Sequence, residues 1–95
     1  PTTFDYLKHG IANAEDQKVE AVIIELNTPG GLLQATRDIV TEFLSAKVPI
    51  IVYVAPAGSR AASAGVFITL AAHVAVMAPG TNIGAAHPGG WFSTL

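Results

Sequence analysis

The feature that most constrains this chain is where its charges stop. All twelve Asp, Glu, Lys and Arg residues lie at or before Arg60, and the 35 residues from Ala61 to Leu95 carry none. A small domain has a large surface for its volume and normally spreads charge over it. An uncharged final third must therefore be buried, inserted in a membrane, or covered by something else. With a start at Pro1 and a single methionine at Met77, this predicts that the 95 residues belong to a longer protein and lack sequence at both ends. The chain is 51% hydrophobic with a mean hydropathy of +0.47, which excludes intrinsic disorder. A net charge of −2 without a basic patch leaves nothing for nucleic acid to bind. The absence of cysteine excludes disulfide scaffolds and thiolate metal sites. Three scattered histidines lack ligand spacing, so no metal and no cofactor is expected.

Hydrophobic periodicity orders the chain. Phe4, Leu7, Ile11 and Ala14 recur at helical spacing over residues 4–15, with Thr2 and Asp5 in the relation of a capping box. Val19–Leu26 is rich in β-branched residues. Its contiguous Val22, Ile23 and Ile24 predict a strand covered on both faces, as in a parallel sheet. Thr28-Pro29-Gly30-Gly31 breaks the chain. Leu32, Ala35, Ile39, Val40, Phe43 and Leu44 then form one apolar helical stripe, with Arg37, Asp38 and Glu42 on the wet side. After Pro49, Ile50–Val54 is a second buried strand. Ala55–Arg60 reads as a loop, Ser63–Ala72 as an internal helix, and Val74–Ala78 as a third strand closed by Pro79-Gly80. Strands separated by helical crossovers pair in parallel with right-handed connections, so the fold class is α/β.

One rival is a membrane span over Ala61–Pro79, a nearly continuous apolar run of about 19 residues against the ~20 needed. His73 interrupts that run, Val74-Ala75-Val76 prefers strand, and no flanking Lys or Arg follows. A buried helix and strand account for it better.

Two breaks can carry chemistry. Gly30-Gly31 lies after a strand and before a helix, where glycine lets amide groups turn outward beside the positive helix end. That arrangement builds an oxyanion or anion site, although an ordinary tight turn needs the same glycines. Ala61-Ala62-Ser63-Ala64-Gly65 matches the small-x-Ser-x-Gly elbow, in which a serine occupies a sharp strand-to-helix turn. A serine opening a helix is also a common N-cap. The two breaks gain meaning as a pair. If both follow successive parallel strands, they share the carboxyl edge of one sheet, where open α/β sheets bind ligands. Ser63 Oγ, the Ala64 N–H and the Gly-Gly turn then converge on one carbonyl, the minimum equipment for acyl transfer.

Four segments in order resemble the NfeD family: Asn27-Thr28-Pro29-Gly30-Gly31, Val52-Tyr53-Val54-Ala55-Pro56, Arg60-Ala61-Ala62-Ser63-Ala64-Gly65, and Ala78-Pro79-Gly80-Thr81-Asn82-Ile83-Gly84-Ala85-Ala86-His87-Pro88. The resemblance covers residues 3–88. It implies a membrane-bound serine protease of the Clp-protease/crotonase-like superfamily, whose spiral fold agrees with the α/β pattern. Residues 1–95 would then be a partial protease domain, without its first strand and its C-terminal part. The resemblance also implies Ser63 as nucleophile, an oxyanion hole from the N–H groups of Gly31 and Ala64, homo-oligomerisation, and membrane attachment through regions outside this chain. Stomatin-like membrane proteins would be partners, with their hydrophobic segments as substrates.

Such enzymes use a Ser-Lys dyad in which burial lowers the lysine pKa so that it accepts the serine proton. No lysine follows Ser63, and Lys8, Lys18 and Lys47 sit on polar helix faces or connections. The base is therefore expected outside the chain. His87 is the alternative base, at the place where soluble Clp proteases carry theirs, and it also reads as a loop histidine beside the substrate groove. His73 reads as a satisfied core residue and His9 as exposed. Glu25, within an apolar strand, reads as structural, and Arg60 as holding a loop or an interface. Gly89-Gly90-Trp91-Phe92-Ser93-Thr94-Leu95 departs from the family pattern and leaves the C-terminal boundary open. Two other readings of the same pattern are a non-catalytic peptide-binding or assembly module and a crotonase-type acyl-CoA enzyme. The latter needs no serine elbow.

Overall fold

The structure, a computed structural model, describes residues 3–28 and 33–84, the side chains of residues 33–35 excepted. Its elements are α1 (Thr3–Asp16), β1 (Val22–Leu26), α2 (Leu33–Ser45), β2 (Ile50–Val54), β3 (Arg60–Ala62), α3 (Ala64–Ala71), β4 (Val74–Met77) and β5 (Asn82–Gly84). β1, β2 and β4 form a parallel sheet in that order, with Ile24 beside Val52 and Val52 beside Ala75. The α/β class and the parallel pairing match the expectation from periodicity.

The three helices meet one face of this sheet. Ile11 of α1, Ile39 and Phe43 of α2, Val48, Ile50 and Val52, and Ile68 of α3 form a single buried cluster, with Phe4, Leu7, Val22, Ile24 and Leu26 packed around it. The apolar stripe of α2 accounts for Ile39 and Phe43. Leu44, at the margin of the stripe, is 72% exposed. The backbone N–H of Lys47 donates to Glu15 Oε2, tying the end of α2 to α1.

The opposite face differs from the expectation of strands covered on both sides. Ile23 is 68% exposed, and Tyr53, Val74 and Val76 are open as well. The helices cover only one face of the sheet, so the residues of β1 alternate between the helical layer and the open face. Glu25 sits on that open face beside Tyr53. The Ala61–Pro79 run is divided among β3, an eight-residue α3 and β4. Among the described residues no helix is long and apolar enough to cross a membrane. α3 is not buried all round, because Phe67 and Leu70 face outward.

His73 closes the α3–β4 junction in a way the sequence did not reveal. Its backbone N–H donates to the carbonyl of Ile50, while its Nδ1 accepts from the Ile50 N–H. The side chain is thus satisfied, as expected, but exposed rather than in the core. Ile50 is fully buried, and a buried amide without a partner costs about 1–3 kcal/mol. His73→Ala is therefore expected to destabilise the fold by about that amount in urea unfolding. A midpoint equal to that of the unsubstituted protein would contradict this role.

Candidate active site

The second sheet, absent from the sequence reading, builds the site. β3 and β5 pair in parallel, Ala61 beside Ile83. Residue 60 belongs to β3 rather than to the loop expected over Ala55–Arg60. Thr28, two residues beyond β1, forms a parallel bridge with Ala61. Its N–H donates to the Arg60 carbonyl at 2.7 Å, and its own carbonyl accepts from the Ala62 N–H at 3.1 Å. Asn27 Oδ1 accepts from the Arg60 N–H, reinforcing the seam. The residues that lead into the Pro-Gly-Gly turn and those that lead into Ser63 are therefore hydrogen-bonded to one another. The sequence placed both turns after successive strands of one sheet. Ser63 instead follows β3 of the small sheet, and the Thr28–Ala61 bridge joins the two.

Ser63 occupies the N-cap position of α3 with φ 54° and ψ −119°, and its side chain makes no capping hydrogen bond. This backbone region is sparsely populated by residues with a Cβ and costs on the order of 1–3 kcal/mol. An N-cap serine has ordinary extended angles and a hydroxyl bonded to the first helical turn. Neither holds here, so the capping alternative loses. A strained serine on a strand-to-helix turn, half-buried with its hydroxyl released from the backbone, is the geometry of a nucleophile elbow. The Ser63 N–H donates to the Gly84 carbonyl at 3.1 Å, so β5 holds the elbow from the other side. Among the described residues no backbone carbonyl accepts the Ala64 N–H, as befits the first residue of a helix.

Gly65 explains why the elbow motif needs a glycine two residues after its serine. A Cβ there would lie 2.8 Å from Thr28 Cγ2. Thr28, Gly65 and Gly84 are thus site-building residues that motif reading passed over. The Thr-Pro-Gly-Gly and Ser-x-Gly motifs held the signal for the first two.

The other expected site residues are distributed as follows. Gly31 and His87 lie outside the described residues, as do Thr2 and the 89–95 stretch. Lys8, Lys18 and Lys47 are exposed, as are His9 and Arg60. Lys8 Nζ stands 5.8 Å from the centre of the Phe4 ring on α1. Among the described residues no cluster of three metal-ligating side chains occurs.

The model of the NfeD1b N-terminal domain family matches residues 2–89. The membrane-bound protease PH1510 of Pyrococcus horikoshii is 49% identical over 86 residues, which are 90% of this chain and 20% of that protein. The membrane protein NfeD1b of Bacillus subtilis is 36% identical over 81 residues, 85% of this chain and 18% of that protein. The chain therefore spans about a fifth of the length of these relatives. Among solved structures, a lysine-to-alanine variant of the 1510-N membrane-bound stomatin-specific protease with a substrate peptide superposes with a TM-score of 0.87 at 49% identity, covering 90% of this chain and 39% of that one. A serine-to-alanine variant of that protease also gives 0.87, at 48% identity, covering 90% of this chain and 42% of the other. With its parallel sheet, its strained serine turn and these matches in view, the chain belongs to the NfeD1b N-terminal domain family.

Proposed function

We propose that residues 1–95 are the N-terminal part of a serine endopeptidase domain of Clp-protease/crotonase-like architecture, with Ser63 as nucleophile. The observation that carries this reading is the backbone of Ser63: positive φ, no capping bond, and a β3 that hydrogen-bonds to Thr28 at the entrance of the Gly-Gly turn. In the proposed reaction Ser63 Oγ attacks the scissile carbonyl. The Ala64 and Gly31 N–H groups donate to the developing oxyanion, the scissile C–N bond breaks as the base returns its proton to the leaving amine, and water then hydrolyses the acyl-enzyme to release the acid and regenerate Ser63. Losing one such donor raises the barrier by about 3 kcal/mol.

The proton acceptor is a lysine outside residues 1–95. The exposure of all three lysines present supports this. So does the relative, whose substituted serine and lysine stand 41 positions apart. A lysine at that distance after Ser63 falls beyond Leu95. His87 is the second candidate, and a Ser-Lys dyad is preferred to it on this spacing. The substrate class is a hydrophobic segment of a membrane-associated, stomatin-like protein, a reading supported by the stomatin specificity of the related protease. Membrane attachment is assigned to sequence outside residues 1–95.

Fluorophosphonate labelling of a chain extended to the length of the solved relatives tests this. Labelling should occur and vanish in Ser63→Ala; labelling retained in that variant removes Ser63 from the mechanism. The 95-residue chain alone is expected to show no turnover and to self-associate through the open face bearing Ile23, Tyr53, Val74 and Val76. Ser63-dependent peptide hydrolysis by it, or a monodisperse monomer on sizing chromatography, would contradict that expectation.

A further inference from the structure

Building on Ser63 as nucleophile, we propose that Thr28 is a positioning residue for it, and that the Thr28 methyl group seated against the bare Cα of Gly65 sets the spacing between the segment that follows β1 and the Ser63 elbow.

Thr28 is 7% exposed and fixed on both backbone sides by Arg60 and Ala62. Ala62 is the residue immediately before Ser63, so a displacement of Thr28 passes through one hydrogen bond to the nucleophile's neighbour. On the far side the Gly84 carbonyl holds the Ser63 N–H. The elbow is thus clamped between Thr28 and β5.

The side chain adds a steric stop. A Cβ at Gly65 would meet Thr28 Cγ2 at 2.8 Å, whereas the next neighbours, Ala61 Cβ and Leu26 Cδ2, lie at 3.5 and 3.8 Å. Only the Thr28 methyl is in conflict. Threonine is branched at Cβ, so this methyl cannot swing aside without moving the hydroxyl as well. Space for a methyl at position 65 must come from moving the backbone of Thr28 away from α3 by roughly half an ångström, about the tolerance of a catalytic constellation. That movement shifts Thr28, and the Ala62 amide bonded to it, relative to Ser63 and Ala64. Misplacement of this order lowers turnover by about 10- to 100-fold. It alters the approach of oxyanion donors to the reacting carbonyl, so kcat should change with little effect on KM.

The test is a double-mutant cycle in the extended protease, measuring peptide kcat and KM per folded molecule, with folded fraction determined by circular dichroism. Gly65→Ala should lower kcat at least 10-fold with KM within about 2-fold. Thr28→Ser removes Cγ2, after which the nearest neighbours of a Cβ at position 65 lie at the ordinary contact distances of 3.5 and 3.8 Å. The double variant should therefore recover to within about 3-fold of the unsubstituted enzyme, a coupling that independent sites do not show. Unchanged kcat in Gly65→Ala, or a double variant no better than Gly65→Ala, overturns the positioning role. Ser63→Ala is run alongside. If it retains turnover, the reading of Ser63 fails, whatever the cycle shows.

Discussion

Ser63→Gly is expected to abolish turnover of the extended protease while raising its melting temperature. The nucleophile is lost with the hydroxyl, and removal of a single nucleophile from a catalytic unit of this kind costs at least ~10³-fold in kcat. Stability should move the other way, because Ser63 is held at φ 54° and ψ −119°, where any residue with a Cβ is strained. Glycine relieves on the order of 1–3 kcal/mol of that strain and adds about 0.5–1 kcal/mol of chain entropy to the unfolded state. At the middle of these ranges the net gain is about 1 kcal/mol, and each 1 kcal/mol corresponds to about 2–4 °C for a domain of some 150–250 residues. Ser63→Ala is the internal comparison, because it removes the hydroxyl and keeps the strain. It should be as inactive as the glycine variant without the gain in melting temperature. A Ser63→Gly variant that melts several degrees lower would show that the serine conformation is not strained. Stability would then have no quarrel with function at this residue.

The second large effect is structural. Phe43 is fully buried at the point where α1, α2, α3 and β2 share one cluster. Phe43→Ala removes an aromatic ring from all these contacts and leaves a cavity, for about 3–5 kcal/mol. That is a large fraction of the 5–15 kcal/mol a domain has at its disposal. Leu44, the next residue and also part of the apolar stripe, is largely exposed. Leu44→Ala should cost less than about 0.5 kcal/mol. Urea midpoints of the two variants check the contrast, and equal losses would mean that α2 is rotated from the position described.

How far the fold could be read from the sequence depended on the range of the interactions that form each element. β2 was legible residue for residue, because Pro49 stops the connection and five apolar β-formers follow. α1 and α2 were legible from their stripes, with α1 observed at Thr3–Asp16 against an expected 4–15, and α3 from an apolar run without a stripe, observed at Ala64–Ala71 against an expected 63–72. β3 and β5 were not. Each has three residues, Arg-Ala-Ala and Asn-Ile-Gly, with little strand preference, and each exists because it pairs with the other and with Thr28. Contiguous Val22, Ile23 and Ile24 describe a strand covered on both faces, and local sequence does not show that the second face of the sheet, Tyr53 of the central β2 included, stays open.

The serine was legible as a candidate only. An N-cap and a nucleophile elbow both want a small polar residue between strand and helix, and only φ and ψ tell them apart. The Thr28–Gly65 contact joins residues 37 apart in sequence, so each motif marks one partner and neither shows the pairing. Gly31 and His87 were named from motif and resemblance, and the described residues do not include them.

The central claim is that two turns aim a hydroxyl and two amides at one point. A crystal structure of the extended protease with a phosphonate bonded to Ser63 Oγ measures this directly. The account predicts that a phosphoryl oxygen lies about 2.7–3.1 Å from both the Ala64 and Gly31 nitrogens, the distance of a formed oxyanion hole. A phosphoryl group turned away from Gly31, with that nitrogen beyond hydrogen-bond reach, would contradict it.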